Sequence, residues 1–208
     1  RATGRRLVVS DSVFSMDGEL ADVPGLVKLC EQYDCCLMLD EAHATGVMGS
    51  RGGGLVEYFQ DRGEVHPDEV GLLMGTLSKA LGSFGGFIAS SSLVRDYLIN
   101  KCRSFIFSTA LPPSAVGAAL ASLELVRLEP SLREKLWKNV GLLRKGLEQN
   151  GFFSGKSETP IFPVLFASEH RAMEMSERLL DHGFFVAAIR PPSVPLGTSR
   201  LRITVTAS

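Results

Sequence analysis

Four short apolar runs constrain this chain most. They span residues 7–10, 36–39, 71–76 and 86–89, and each is nearly unbroken by polar side chains. Strands of that kind are buried on both faces. Where they alternate with helices they build a mostly parallel α/β sheet. The helices are legible between them. Residues 23–33 carry Leu26, Val27, Leu29 and Cys30 on a 3.6-residue period, with Pro24 in the first turn. Residues 92–101 and 114–128 also read as helical. The strongest pattern is 130–150, where Leu132, Leu136, Trp137, Val140, Leu143 and Leu147 form one stripe, opened by Pro130 and ended by Gly151. Residues 15–18 have turn chemistry, and 41–54 form a glycine-rich loop.

Beyond residue 150 the texture changes to an α+β tail. It is expected to comprise a strand at 161–166, a helix at 169–182 and strands at 185–189 and 201–206. A chain of 208 residues, 45% hydrophobic, can bury one large and one small lobe. The expected division is 1–128 and 129–208, with the helix near Pro130 as the bridge. The abrupt start, without Met, and the end just after a strand predict a piece of a longer protein.

A net charge of −1 favours neither nucleic acid nor an anionic membrane as partner. No apolar stretch has the length to cross a bilayer, and no secretory signal opens the chain. Cys30, Cys35, Cys36 and Cys102 lack CxxC spacing, so no metal site is expected. They read as reduced thiols of a cytoplasmic protein.

The chemistry gathers at two strand ends. Leu37-Met-Leu-Asp40 closes one apolar run on a carboxylate, with His43 three residues on. Gly71-Leu-Leu-Met74 leads into Gly75-Thr-Leu-Ser-Lys79. Ligands of open α/β sheets bind beyond the carboxyl ends of the strands. A carboxylate there can keep an aromatic nitrogen protonated, an imidazole can donate to a phenolic oxygen, and a solitary lysine can bond an aldehyde. Thr76 and Ser78 can offer hydroxyls to a phosphate. Together these are the needs of pyridoxal 5'-phosphate (PLP). For Lys79 to act as an amine it must lose its proton, which desolvation and neighbouring cations would favour. Asp40-Glu-Ala-His43 also spells the Mg²⁺-binding segment of a helicase-type ATPase, but that reading demands a phosphate loop, and no GxxxxGK[ST] string occurs. Near the far end Arg190, Arg200 and Arg202 lie by predicted strand ends, where a guanidinium could grip a carboxylate. Periodicity does not choose between Arg200 and Arg202. Arg200 is read as an exposed strand residue.

Val13-Phe-Ser-Met-Asp-Gly18, Leu39-Asp-Glu-Ala-His-Ala-Thr-Gly46, Thr76-Leu-Ser-Lys79, Phe107-Ser-Thr-Ala-Leu-Pro-Pro113 and Arg190-Pro-Pro-Ser-Val-Pro195 resemble the α-oxoamine synthases. The resemblance runs over essentially the whole chain. It implies the PLP-dependent transferase fold of type I: a large domain on a mostly parallel sheet and a smaller α+β C-terminal domain. It also implies an acyltransferase that condenses an amino acid with an acyl-CoA and releases CO₂. By position, Lys79 resembles the cofactor lysine and Asp40 the pyridine-nitrogen partner. His43 and Ser15 match contacts on the phenolic side of the ring, and Thr76 matches a cofactor contact. Ser108 and Thr109 resemble the segment that reaches the phosphate in a neighbouring subunit, which implies a homodimer. Arg202 matches the substrate-carboxylate arginine, with Arg190 and Ser193 at substrate-contacting positions. Ala44-Thr45-Gly46 and the Arg190 segment fit the biotin-pathway branch, so alanine and a pimeloyl thioester are the expected substrates. Glycine or serine, and other acyl chains, remain open. So does a non-catalytic partner subunit, against which Lys79 argues. The family's N-terminal half and C-terminal helix have no counterpart here, so this piece alone is expected to bind PLP weakly or not at all.

Overall fold

A computed structural model describes residues 4–153 and 157–208. The chain divides into two units, one formed by residues 1–13 and 21–130, the other by 14–20 and 131–208.

The first unit is built on a four-stranded sheet of order β1-β2-β3-β4: β1 (Arg6–Asp11), β2 (Cys35–Asp40), β3 (Leu72–Thr76) and β4 (Gly86–Ser90). β1, β2 and β3 run parallel, and β4 closes the edge antiparallel to β3. Asp11 pairs with Asp40, and Asp40 with Met74, so these strands finish side by side. Helix α1 (Val23–Gln32) joins β1 to β2. Asp22 starts it by accepting from the Gly25 N–H at 3.0 Å, Pro24 sits in its first turn, and Val23, Val27 and Cys30 form its buried stripe. The helix packs on β2, where Leu37 and Leu39 are almost wholly buried. The expectation of burial on both faces is not met. Leu7 and Val9 on β1 are 55% and 60% exposed, because among the described residues nothing covers that side of the sheet.

Between β2 and β3 the glycine-rich stretch is a run of turns, as expected, but it leads into an unforeseen short helix, α2 (Leu55–Gln60). After β4 come α3 (Ser92–Lys101), a second unforeseen helix α4 (Arg103–Ile106), and α5 (Pro113–Leu128).

Helix α6 (Pro130–Gln149), all but its first residue in the second unit, buries Leu136 and Val140. The sheet of this unit has the order β5-β7-β6, with β5 (Ile161–Phe166), β6 (Ala187–Ile189) and β7 (Ser199–Thr204), all antiparallel. Pro163, which has no N–H to give, lies in β5 at the sheet edge. Helix α7 (Glu169–Asp181) packs on all three strands and buries Ala172. β6 is shorter than the expected 185–189, and β7 starts two residues before the expected 201. Segment 14–20 belongs to this unit. The Thr159 hydroxyl donates to Gly18 O at 3.0 Å, and Gly18 takes φ +69° where a Cβ would collide with Ile161 O.

Candidate active site

The carboxyl ends of the parallel strands bring three charged groups together in the first unit. Asp40 ends β2, and the Ala42 N–H donates to its Oδ1 at 2.8 Å, which steadies the carboxylate. Lys79 follows β3 by three residues and is exposed. Asp11 ends β1 beside Asp40. Partial burial raises the Asp11 carboxyl above its ordinary 3.8, the negative Asp40 raises it further, and the positive Lys79 pulls it back. Asp40 and Lys79 therefore both lie within electrostatic reach of Asp11. Asp11 belongs to none of the motifs. Its place as the last residue of the first parallel strand is the one sequence signal that points to it. The desolvation expected around Lys79 is not supplied by the described residues, since Lys79 is exposed.

His43 is half-buried in the turn after Asp40. The Thr76 hydroxyl donates to Gly85 O at 3.1 Å, and its oxygen lies 2.7 Å from Ser78 Oγ and accepts the Ser78 N–H at 3.2 Å. Thr76 thus uses its proton inside its own loop rather than offering it outward. Ser108 and Thr109 follow α4 and are exposed. The Ser108 hydroxyl donates to Ser104 O, and among the described residues neither side chain bonds to Asp40, Thr76 or Lys79.

Ser15, Arg190, Ser193 and Arg202 belong to the second unit. Arg202 is half-buried on β7. Its Nε donates to Ser15 O at 2.5 Å and its Nη1 to Thr204 Oγ1 at 3.0 Å, and burial lowers the guanidinium below its ordinary value. Arg190 is exposed, with its Nη1 beside the Met173 sulfur. The Ser193 N–H donates to Arg190 O at 3.1 Å and closes a tight turn ahead of β7.

Arg200 corrects the reading as an exposed residue. It is 5% exposed, among the most buried polar residues of the chain. Its Nη1 pairs with Asp17 and donates to Met16 O at 3.2 Å, and its Nε donates to Thr198 O at 3.1 Å. Arg200 and Arg202 share one side of β7, as two residues apart in an extended strand must. Arg200 is consumed in holding segment 14–20, whereas Arg202 is the less buried of the two.

The aminotransferase class I and II family model matches residues 1–208, the whole chain. The chain belongs to the aminotransferase class I and II family. Among curated proteins it is 48% identical over 205 residues to the 8-amino-7-oxononanoate synthase of Lysinibacillus sphaericus, covering 99% of this chain and 51% of that protein. It is 50% identical over 210 residues to the enzyme of the same name from Geobacter sulfurreducens, covering 100% of this chain and 52% of that one. The chain thus spans about half the length of the curated relatives it matches. Among solved structures, Sphingomonas wittichii serine palmitoyltransferase matches with a TM-score of 0.90 at 30% identity, over 98% of this chain and 50% of that one. An 8-amino-7-oxononanoate synthase from Francisella tularensis matches with a TM-score of 0.82 at 24% identity, over 99% of this chain and 58% of that one, a likeness of fold. This family member therefore carries the expected fold, with one antiparallel edge strand on its mostly parallel sheet. Among the described residues, no helix is long and apolar enough to cross a membrane.

Proposed function

We propose that this chain carries the cofactor lysine and the ring-nitrogen partner of a PLP-dependent acyltransferase. The reaction joins alanine to a pimeloyl thioester, with loss of CO₂ and the thiol, and gives 8-amino-7-oxononanoate. One observation carries the reading: Asp40 and Lys79 stand at the ends of adjacent parallel strands, and both charges reach Asp11. That donor set fits PLP. An exposed primary amine suits its aldehyde, and a carboxylate held on one oxygen by a backbone N–H suits a protonated ring nitrogen. Identity of 48–50% to curated synthases of that name supports alanine as the amino acid.

PLP, when bound, supplies an aldehyde and an electron-withdrawing ring. Asp40 holds a proton at the ring nitrogen through a charge-assisted hydrogen bond. Lys79 Nζ would take the proton from the amino-acid α-carbon and later return one. As the family resemblance implies, His43 and Ser15 would offer hydrogen bonds to the phenolic oxygen, and Thr76 would contact the cofactor. Arg202 orients the substrate carboxylate, with Arg190 and Ser193 as further substrate contacts. Ser108 and Thr109 serve the phosphate of a neighbouring subunit in a cytoplasmic homodimer.

The test uses the full-length protein. PLP should give a visible absorbance band, and borohydride should then fix the cofactor's mass on the peptide containing Lys79. Lys79→Ala should lose both, along with turnover. Full turnover by Lys79→Ala would rule out the role. A panel of alanine, glycine and serine against several acyl thioesters tests the substrates, and preference for serine with a long acyl chain would reject alanine.

A further inference from the structure

Glu41 is buried to 2% exposure, and no step above uses it. Its carboxylate accepts from the Ser12 hydroxyl at 2.8 Å, the Leu55 N–H at 2.9 Å and the Val56 N–H at 3.0 Å. Ser12 lies directly after β1, and Leu55 and Val56 open α2. The backbone of Glu41 is held as firmly. Its N–H donates to Met74 O on β3 at 2.7 Å, and its carbonyl accepts from Ala44 N at 2.9 Å, Thr45 N at 2.8 Å and Thr45 Oγ1 at 2.9 Å. Ser12 also donates its N–H to Asp40 O at 2.9 Å. Gly54 approaches so closely that a Cβ there would lie 2.9 Å from the Glu41 carboxylate carbon. The surrounding backbone is shaped around this one side chain.

Glu41 directly follows Asp40, the last residue of β2, and the Ala42 N–H just beyond it donates to Asp40 Oδ1 at 2.8 Å. An anchor at Glu41 therefore restrains the short backbone stretch that holds the Asp40 carboxylate. We propose that Glu41 is a positioning residue, which ties the end of β2 to β1 and α2 and so fixes how Asp40 presents its carboxylate to the PLP ring nitrogen. This rests on the function proposed above. Burial raises the Glu41 carboxyl above its ordinary 4.5; the Leu55 and Val56 N–H groups and the Ser12 hydroxyl lower it, and Asp40 raises it again. The donors are thus matched to a carboxylate that burial alone would disfavour.

A double-mutant cycle on PLP affinity in the full-length protein separates positioning from general support. Glu41→Gln keeps the shape but aims an N–H₂ group at one of the donors, and should weaken PLP binding about tenfold. In an Asp40→Asn background the same change should weaken it by less than about twofold, because the group it positions is already gone. Ser12→Ala removes the hydroxyl shared by the Glu41 carboxylate and Asp40 O and leaves the carboxylate, so it runs the same cycle if Glu41→Gln does not fold. Equal losses in both backgrounds, or wild-type affinity in Glu41→Gln, would overturn the role of Glu41. A wild-type protein that takes up no PLP would overturn the functional reading itself, and this inference with it.

Discussion

Removing Asp17 should loosen segment 14–20, and the cost can be worked from its partner. The Arg200 side chain is 6% exposed and that of Asp17 49%. Stranding a fully buried charge costs about 3–5 kcal/mol, whereas an exposed ion pair contributes about 0–1 kcal/mol. Arg200 would keep Met16 O and Thr198 O as acceptors, so the loss should fall between, at about 2 kcal/mol. That corresponds to roughly a 30-fold change in an opening equilibrium. Amide exchange at Gly18, whose N–H donates to Phe14 O at 2.8 Å, reads that opening directly. Asp17→Ala should speed it by about that factor. Adding Arg200→Met should then slow it again, because the unpaired charge is gone and its volume is partly refilled. Since Arg202 Nε also bonds to Ser15 O in this segment, the substrate role proposed for Arg202 implies that Asp17→Ala raises KM for the amino acid more than KM for the thioester. Unchanged exchange in the single variant, or faster exchange in the double variant, would refute the reasoning.

Two further predictions concern Glu41. Gly54→Ala forces a side chain into φ +113° and against the Glu41 carboxylate, so it should cost about 2 kcal/mol or more in unfolding of the PLP-free protein. The folded state holds the Glu41 proton more tightly than the unfolded state, because the folded pKa is raised above 4.5. Its contribution to stability is therefore fully present below 4.5 and is lost as pH rises through the folded pKa. Glu41→Gln cannot titrate. Denaturant unfolding should thus show wild type declining relative to Glu41→Gln as pH rises above 4.5, and a constant gap would reject the assignment.

The strands and long helices were legible because their signals are local. Leu37 and Leu39 sit in an apolar run, the α1 stripe repeats at helical spacing, and Pro130 opens α6. Helix α2 was not legible. Its N-cap position is Gly54, which has no side chain to signal a start, and the acceptor for its first N–H groups is Glu41, 14 positions before Leu55. Burial on both faces of the sheet was over-read, since an apolar run records what a strand can bury and not what covers it.

The same division runs through the site. Asp40 and Lys79 could be proposed from sequence because one ends an apolar run and the other closely follows one, and the ends of parallel strands are where ligands bind. Glu41 and Arg200 could not. Charged residues are almost never fully buried unless paired, so a reading without coordinates puts them at the surface. Their partners are far along the chain: Arg200 reaches Asp17 across 183 positions. Residue types at strand ends thus mark which groups can do chemistry, while buried polar contacts between segments distant in the chain hold the backbone around them. The second kind of information is a property of the fold, and variants that test it must change the contact without touching Asp40, Lys79 or Arg202.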